Sequence, residues 1–158
     1  MSILLPAVSS CSVAEKSSSL RQQLIGGWAL VSVRSVDADK PSEPYGSAPE
    51  GYLTIGSNGR FSLQTFRPGI PRFAANDRTK GTDAENKAVV LGSVSYFGTY
   101  QIDERAHVML MHIEQSTYPN YTGQNQQRMV ELRGNLLEFT NPTATTGGTL
   151  KIVWKRAD

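Results

Sequence analysis

From residue 28 onward the chain alternates apolar and polar residues with a period of two, in short runs separated by turn residues, which is the pattern of half-buried β-strands. The runs fall at roughly 28–37, 51–56, 60–66, 96–103, 107–115, 124–133, 136–141 and 149–156, eight in all. Ser57-Asn58-Gly59 is a tight-turn signal, Asp103-Glu104-Arg105 and Arg133-Gly134-Asn135 are compatible turns, and 143–148 is a longer loop rich in Gly and Thr. Neighbours in sequence are therefore expected to be neighbours in the sheet. The expectation is an all-β fold, an eight-stranded antiparallel up-and-down β-barrel. A barrel of this size either holds one small ligand or fills itself with side chains.

The ends of the pattern point to closure. Gly26-Gly27-Trp28 stands at the head of the first run and Trp154-Lys155-Arg156 ends the last. Glycine lets the chain turn tightly into the first strand, the indole of Trp28 is expected to plug one end of the cylinder, and a basic side chain of the last strand can cover the ring. Just before this, Ser19 and Gln22 have capping-box spacing and Leu20 and Leu24 lie one helical turn apart, so a short helix is expected to close that end. Two connections exceed simple turns. Residues 39–50 carry Pro41, Pro44 and Pro49 with Tyr45, an aromatic placed to lean over the barrel mouth. Residues 67–95 hold Pro68, Pro71 and a second capping box, Thr82 with Glu85. Ala84, Ala88 and Leu91 then give a narrow apolar stripe, read as a lid helix between the third and fourth strands.

Composition narrows the partners. The 158 residues make one domain of ordinary size, expected at 19–158 after a flexible tail at 1–18. Sixteen Lys and Arg against fourteen Asp and Glu, scattered along the chain, call for no nucleic-acid partner. No apolar run approaches the roughly 20 residues that cross a bilayer, so no transmembrane segment is expected. Cys11 is the single cysteine, which excludes a disulfide framework and a thiolate metal cluster. Small residues precede Cys11 and a Ser-rich stretch follows, as at the end of a lipoprotein signal, but no Lys or Arg precedes the short apolar stretch. As the sequence stands a cytoplasmic protein is expected; export with a lipid anchor at Cys11 would need a start further upstream.

An ordered series of stretches resembles the lipocalin-like domain family, small relatives of lipocalins among the calycin barrels. They are Leu24 to Ser32, Pro44-Tyr45-Gly46, Gly51 to Thr54 with Asn58-Gly59-Arg60, Tyr96 to Tyr100, and His112-Ile113-Glu114 through Pro119-Asn120-Tyr121-Thr122-Gly123 to Arg128. The resemblance implies the barrel but no single chemistry, since such proteins serve as carriers, as isomerases and cyclases of natural-product pathways, or in unknown roles. Two positions depart from the family pattern. Met111 stands where relatives often carry a second His, which weakens an acid–base role, and Tyr121 stands where Trp is common.

The chemistry on offer is modest. His112 and Glu114 lie two apart on one strand face and form a candidate general acid/base couple. Met109, Met111 and Ile113 occupy the other face, so two registers are open, with the apolar set or the polar set turned inward. Arg34 shares parity with Trp28, Leu30 and Ser32 and is expected to face the cavity with Arg128; a buried guanidinium needs a partner. That partner is either an acidic or carbonyl-rich ligand, or an internal carboxylate, Glu114 or Glu131. Tyr118, Asn120 and Tyr121 would rim the entrance, while Tyr52, Tyr96 and Tyr100 would line the interior with hydroxyl-bearing rings. No phosphate loop, dinucleotide motif, metal-ligand set or nucleophile elbow occurs, and no cofactor or metal is expected. The leading expectation is binding of a small apolar or aromatic, oxygen-bearing molecule. The alternatives are a cofactor-free isomerase or cyclase using His112 and Glu114, and a structural or surface lipoprotein module with a filled barrel. Self-association is left open.

Overall fold

Each expected strand forms, the largest displacement being the fourth, which begins at Ser93 rather than 96. The computed structural model describes residues 18–37, 41–145 and 147–157. The tail and the Cys11 reading lie outside the described residues. Helix α1 (Leu20–Leu24) leads into β1 (Gly26–Ser35), β2 (Glu50–Ile55) and β3 (Arg60–Phe66). Helix α2 (Asp83–Gly92) then precedes β4 (Ser93–Asp103), β5 (Val108–Ser116), a 3₁₀ turn (Pro119–Tyr121), β6 (Asn125–Arg133), β7 (Leu136–Asn141) and β8 (Leu150–Arg156). The strands pair antiparallel in sequence order, and β8 pairs back on β1, from Trp28 with Arg156 to Ser35 with Leu150. This is a closed up-and-down barrel, which leaves no sheet edge.

One end is sealed by the two elements that flank the first strand. Trp28 is fully buried, its Nε1 donates to the Leu24 carbonyl at 2.9 Å, and the Arg156 guanidinium lies 3.9 Å from its ring centroid. Arg156 also donates to the carbonyls of Ile25, at 2.8 Å, and Gln23. The capping box of Ser19 and Gln22 starts α1. Glu104, in the β4–β5 turn, accepts from the free N–H groups of Leu20 and Arg21 at 2.8 and 3.0 Å. Leu20 and Leu24 then drop into a core that includes Leu53, Ile55, Phe61, Met109 and Leu137.

Two irregularities set which way side chains point. A register shift between Leu30 and Ser32 reverses the parity of β1, so Trp28 and then Val33 are buried while Arg34 turns outward. A second shift, between Phe97 and Gly98, lets β4 approach β5 so closely that a Cβ on Gly98 would sit 1.9 Å from the His112 carbonyl oxygen.

The opposite end carries the long connections. Helix α2 forms where expected, with its Thr82 and Glu85 capping box complete. Its apolar stripe is only partly covered, however: Ala84 and Leu91 are exposed and Ala88 is half-buried, Val90 is exposed beside them, and Gly92 is the buried residue of the helix. The barrel ladder bypasses this excursion, since Phe66 pairs with Ser93 and the Arg67 N–H donates to the Gly92 carbonyl at 2.7 Å. Replacing residues 69–90 with a short Gly/Ser turn is therefore expected to preserve the β-type circular dichroism spectrum and a single cooperative unfolding transition. Loss of that transition would show that the excursion belongs to the core. No described helix is long and apolar enough to cross a membrane.

Candidate functional site

The inward positions of the strands are apolar near the Trp28 end and become polar toward the mouth. In β3 the inward series is Phe61, Leu63, Thr65, and in β7 it is Leu137, Phe139, Asn141. Arg128 occupies an inward position of β6 and is 3% exposed; Thr65 and Asn141 are buried as well. These groups surround a lumen cavity of about 50 Å³, walled also by Leu63, Tyr96, Ile152 and Trp154 and closed by Tyr45 and Tyr121. Tyr45 comes from the β1–β2 connection and reaches the mouth as its sequence position suggests.

A ladder of rings leads outward from the core. Phe61 meets Tyr96 edge-on at 6.0 Å, Tyr96 meets Tyr121 at 5.7 Å, and Tyr121 meets Tyr118 at 5.1 Å. The Tyr121 hydroxyl shares a 3.0 Å hydrogen bond with Thr145 Oγ1, tying the β5–β6 connection to the β7–β8 loop. Asn120 Nδ2 donates to the Tyr118 hydroxyl at 3.1 Å on the exposed rim. Burial pushes the Tyr45 hydroxyl up to about 12 and raises that of Tyr121, so both stay protonated and can donate at neutral pH. A recess of about 370 Å³, lined by Tyr121, Gln126, Pro142 and Thr145 among others, adjoins the lumen at Tyr121.

Among the described residues Arg128 has no charged partner. Its Nη1 donates to the Gln127 carbonyl at 2.8 Å and its Nη2 to Gln126 Oε1 at 2.5 Å, both neutral oxygens. Neither expected internal carboxylate reaches it: Glu114 is held by Arg60 at 2.6 Å and Glu131 by Arg133, both pairs on the outer surface. Trp154 adds a second unmet group, a buried indole N–H with no hydrogen-bond partner among the described residues.

The other candidates are dispersed. Arg34, expected in the cavity, lies on the outer face with its side chain 65% exposed and pairs with Glu43 at 3.3 Å, because the β1 bulge reverses its parity. Tyr52 is also outside, 43% exposed; its ring lies on Gly27, where a Cβ would fall 2.0 Å from the Tyr52 hydroxyl. Tyr100 is buried but belongs to the closed end, its hydroxyl donating to the Gly56 carbonyl at 2.8 Å. His112 and Glu114 take the outward register, with Met109, Met111 and Ile113 buried. His112 Nδ1 shares a 2.9 Å hydrogen bond with Asn125, and the Arg60 guanidinium holds the Glu114 carboxyl below the usual carboxylate range. The two therefore do not form a couple facing the lumen. A surface groove of about 360 Å³ does run beside His112, between Leu110, Asn125 and Gln127. It exceeds the lumen in volume, but its polar groups are open to water and carry no desolvation cost. Burying Arg128 without a charged partner carries one, so the lumen is the candidate site. Among the described residues no group of three His, Cys, Asp or Glu side chains is placed to hold a metal.

Thr65, Asn141 and Trp154 escape a reading that seeks reactive residue types. Their signal is positional: Thr65 and Asn141 are the last inward residues of otherwise apolar alternating runs.

Barrel and lumen together define a calycin-type protein, and the chain belongs to the lipocalin-like domain family, whose sequence profile matches residues 25–157. It is 29% identical over 85 residues to a protein of Aspergillus oryzae (strain ATCC 42149 / RIB 40) named the 4'-hydroxy-3'-methoxypropiophenone carrier protein ppsC. That match covers 50% of this chain and 77% of the relative. Family and relative together support small-molecule binding in general terms.

Proposed function

We propose that the protein is a carrier that holds a small, largely apolar, oxygen-bearing molecule in its barrel lumen. The observation that carries this reading is Arg128, buried at the end of an apolar lumen with no carboxylate among the described residues to neutralise it. A guanidinium in that position costs stability unless something else compensates it, and a ligand oxygen would do so. The name of the Aspergillus relative supports an aromatic ketone as the kind of cargo.

The cavity of about 50 Å³ is well below the roughly 300–1,000 Å³ of ligand pockets, so uptake requires the mouth to open. Rotation of Tyr121 away from Thr145 would join the lumen to the recess of about 370 Å³ on its other side. Titration with 4'-hydroxy-3'-methoxypropiophenone, followed by tryptophan fluorescence, should give saturable quenching, and the ketone should be recovered unchanged. Thr65→Phe, which fills the lumen, should weaken binding by about tenfold or more while the circular dichroism spectrum is retained. Absence of saturable binding to the wild type is what a barrel filled by its own side chains predicts, and chemical conversion of the ketone is what an enzyme predicts. Either result overturns the carrier reading.

A further inference from the structure

The lumen also carries information on the charge of its ligand, and this inference rests on the carrier reading above. An arginine side chain carries its charge in folded proteins generally, and Arg128 lines the cavity. Its contacts with Gln126 and Gln127 satisfy N–H groups without neutralising the charge. Among the described residues no carboxylate lies within 4.0 Å of it, and none lines the cavity. The remaining titratable groups of the cavity wall are the phenols of Tyr45, Tyr96 and Tyr121. Burial raises the first and last, so neither becomes an internal counter-ion. The described residues therefore leave one uncompensated positive charge in the lumen.

A second, independent feature points the same way. The Trp154 side chain is fully buried on β8 and lines the same cavity, and its Nε1–H has no acceptor among the described residues. Buried indole N–H groups ordinarily find an acceptor. A cation and an orphaned donor around one small space require a group that accepts hydrogen bonds and carries negative charge. Asn141 and Thr65 can orient it, and the apolar wall of Leu63, Val94 and Ile152 takes the rest of the molecule. Neutral carbonyl ligands would satisfy Trp154 but leave the charge of Arg128 unpaired.

We propose that the lumen selects compact, mostly apolar molecules bearing an anionic oxygen, which pairs with Arg128 and accepts from Trp154 Nε1. The anionic oxygen comes from one of two sources, a carboxylate or the acidic hydroxyl of a phenol whose ring carries an acyl group opposite it. In such a phenol the carbonyl delocalises the charge of the phenolate, and proximity to Arg128 favours ionisation further. Gln126, which accepts from Arg128 and also lines the outer recess, is the side chain that an entering anion would displace from the guanidinium.

Two matched pairs of probes separate the sources: 3-phenylpropionate against its methyl ester, and 4-hydroxypropiophenone against its methyl ether. Affinities are measured by titration calorimetry on the wild type and on Arg128→Met. In at least one pair the acid is expected to bind the wild type about tenfold or more tighter than its neutral methyl derivative. In Arg128→Met that preference should fall below about twofold, chiefly through loss of affinity for the acid. The pair showing the preference identifies carboxylate or phenolate as the preferred group. Binding of the acid should also move the indole proton of Trp154, and this readout on the wild type stands even if Arg128→Met does not fold. Equal binding of acid and neutral derivative in both pairs, or a preference that survives in Arg128→Met, overturns the anion assignment and leaves the carrier reading intact. Failure of all four probes to bind also overturns the anion assignment, and the carrier reading then stands or falls on the titration with 4'-hydroxy-3'-methoxypropiophenone.

Discussion

Trp28→Ala is expected to lower the unfolding free energy by about 3–5 kcal/mol, read from urea denaturation with an unchanged m-value. The side chain is fully buried where β1, β8 and α1 converge, so its removal leaves a hollow that three elements would have to collapse into. The hydrogen bond to the Leu24 carbonyl and the stacked Arg156 would be lost with it. Arg156 would keep its carbonyl partners but have no ring to cover. A loss under about 1 kcal/mol would mean that this end of the barrel closes without the indole.

Gly98→Ala is expected to cost about 3 kcal/mol or more, at the upper end of what overpacking causes. The added methyl would lie 1.9 Å from the His112 carbonyl oxygen and 3.1 Å from the Glu114 amide nitrogen. Both obstacles are backbone, so no rotamer change relieves the contact, and relief would require breaking the β4–β5 ladder. This gives a physical reason for glycine within the Tyr96 to Tyr100 stretch. A change within about 0.5 kcal/mol, the range of an inert surface substitution, would show that the strands separate more easily than their pairing implies.

Much of the architecture was legible because barrel strands carry their own evidence. Alternation of Phe61, Leu63 and Thr65, or of Met109, Met111 and Ile113, marks both the strand and its buried face, and the short turns leave little choice of pairing. Capping boxes at Ser19 and Thr82 mark helix starts in the same local way. Arg34 shows where this logic ends. One residue of bulge between Leu30 and Ser32 inverts every later side chain on β1, and nothing in the alternation itself announces it. Tyr52 was misplaced for a related reason: the partner of its ring is a glycine across the strand pair, whose contribution is the absence of a side chain. Tyr100 shows a different limit, since alternation gives the face of a strand but says less about depth along the barrel axis.

The candidate site was legible only in part. Arg128 stood out as a charged residue on a strand, but its isolation could be known only once Glu114 and Glu131 were seen to be engaged by Arg60 and Arg133. The role of Trp154 depended on an absent partner, which sequence cannot display. The proposed function rests on what the described residues of the lumen leave unsatisfied, and that is a property of the closed fold.

The most direct test of the lumen as the binding site is the indole N–H region of the nitrogen–proton correlation spectrum, recorded during titration with 4'-hydroxy-3'-methoxypropiophenone. Two indole signals are expected, from Trp28 and Trp154. Lumen binding predicts a saturable shift of the Trp154 signal with the Trp28 signal nearly stationary, since Trp28 is already bonded to Leu24 at the far end. Shifts confined to the outer-face amides around His112, with Trp154 unmoved, would contradict it and place the ligand in the surface groove.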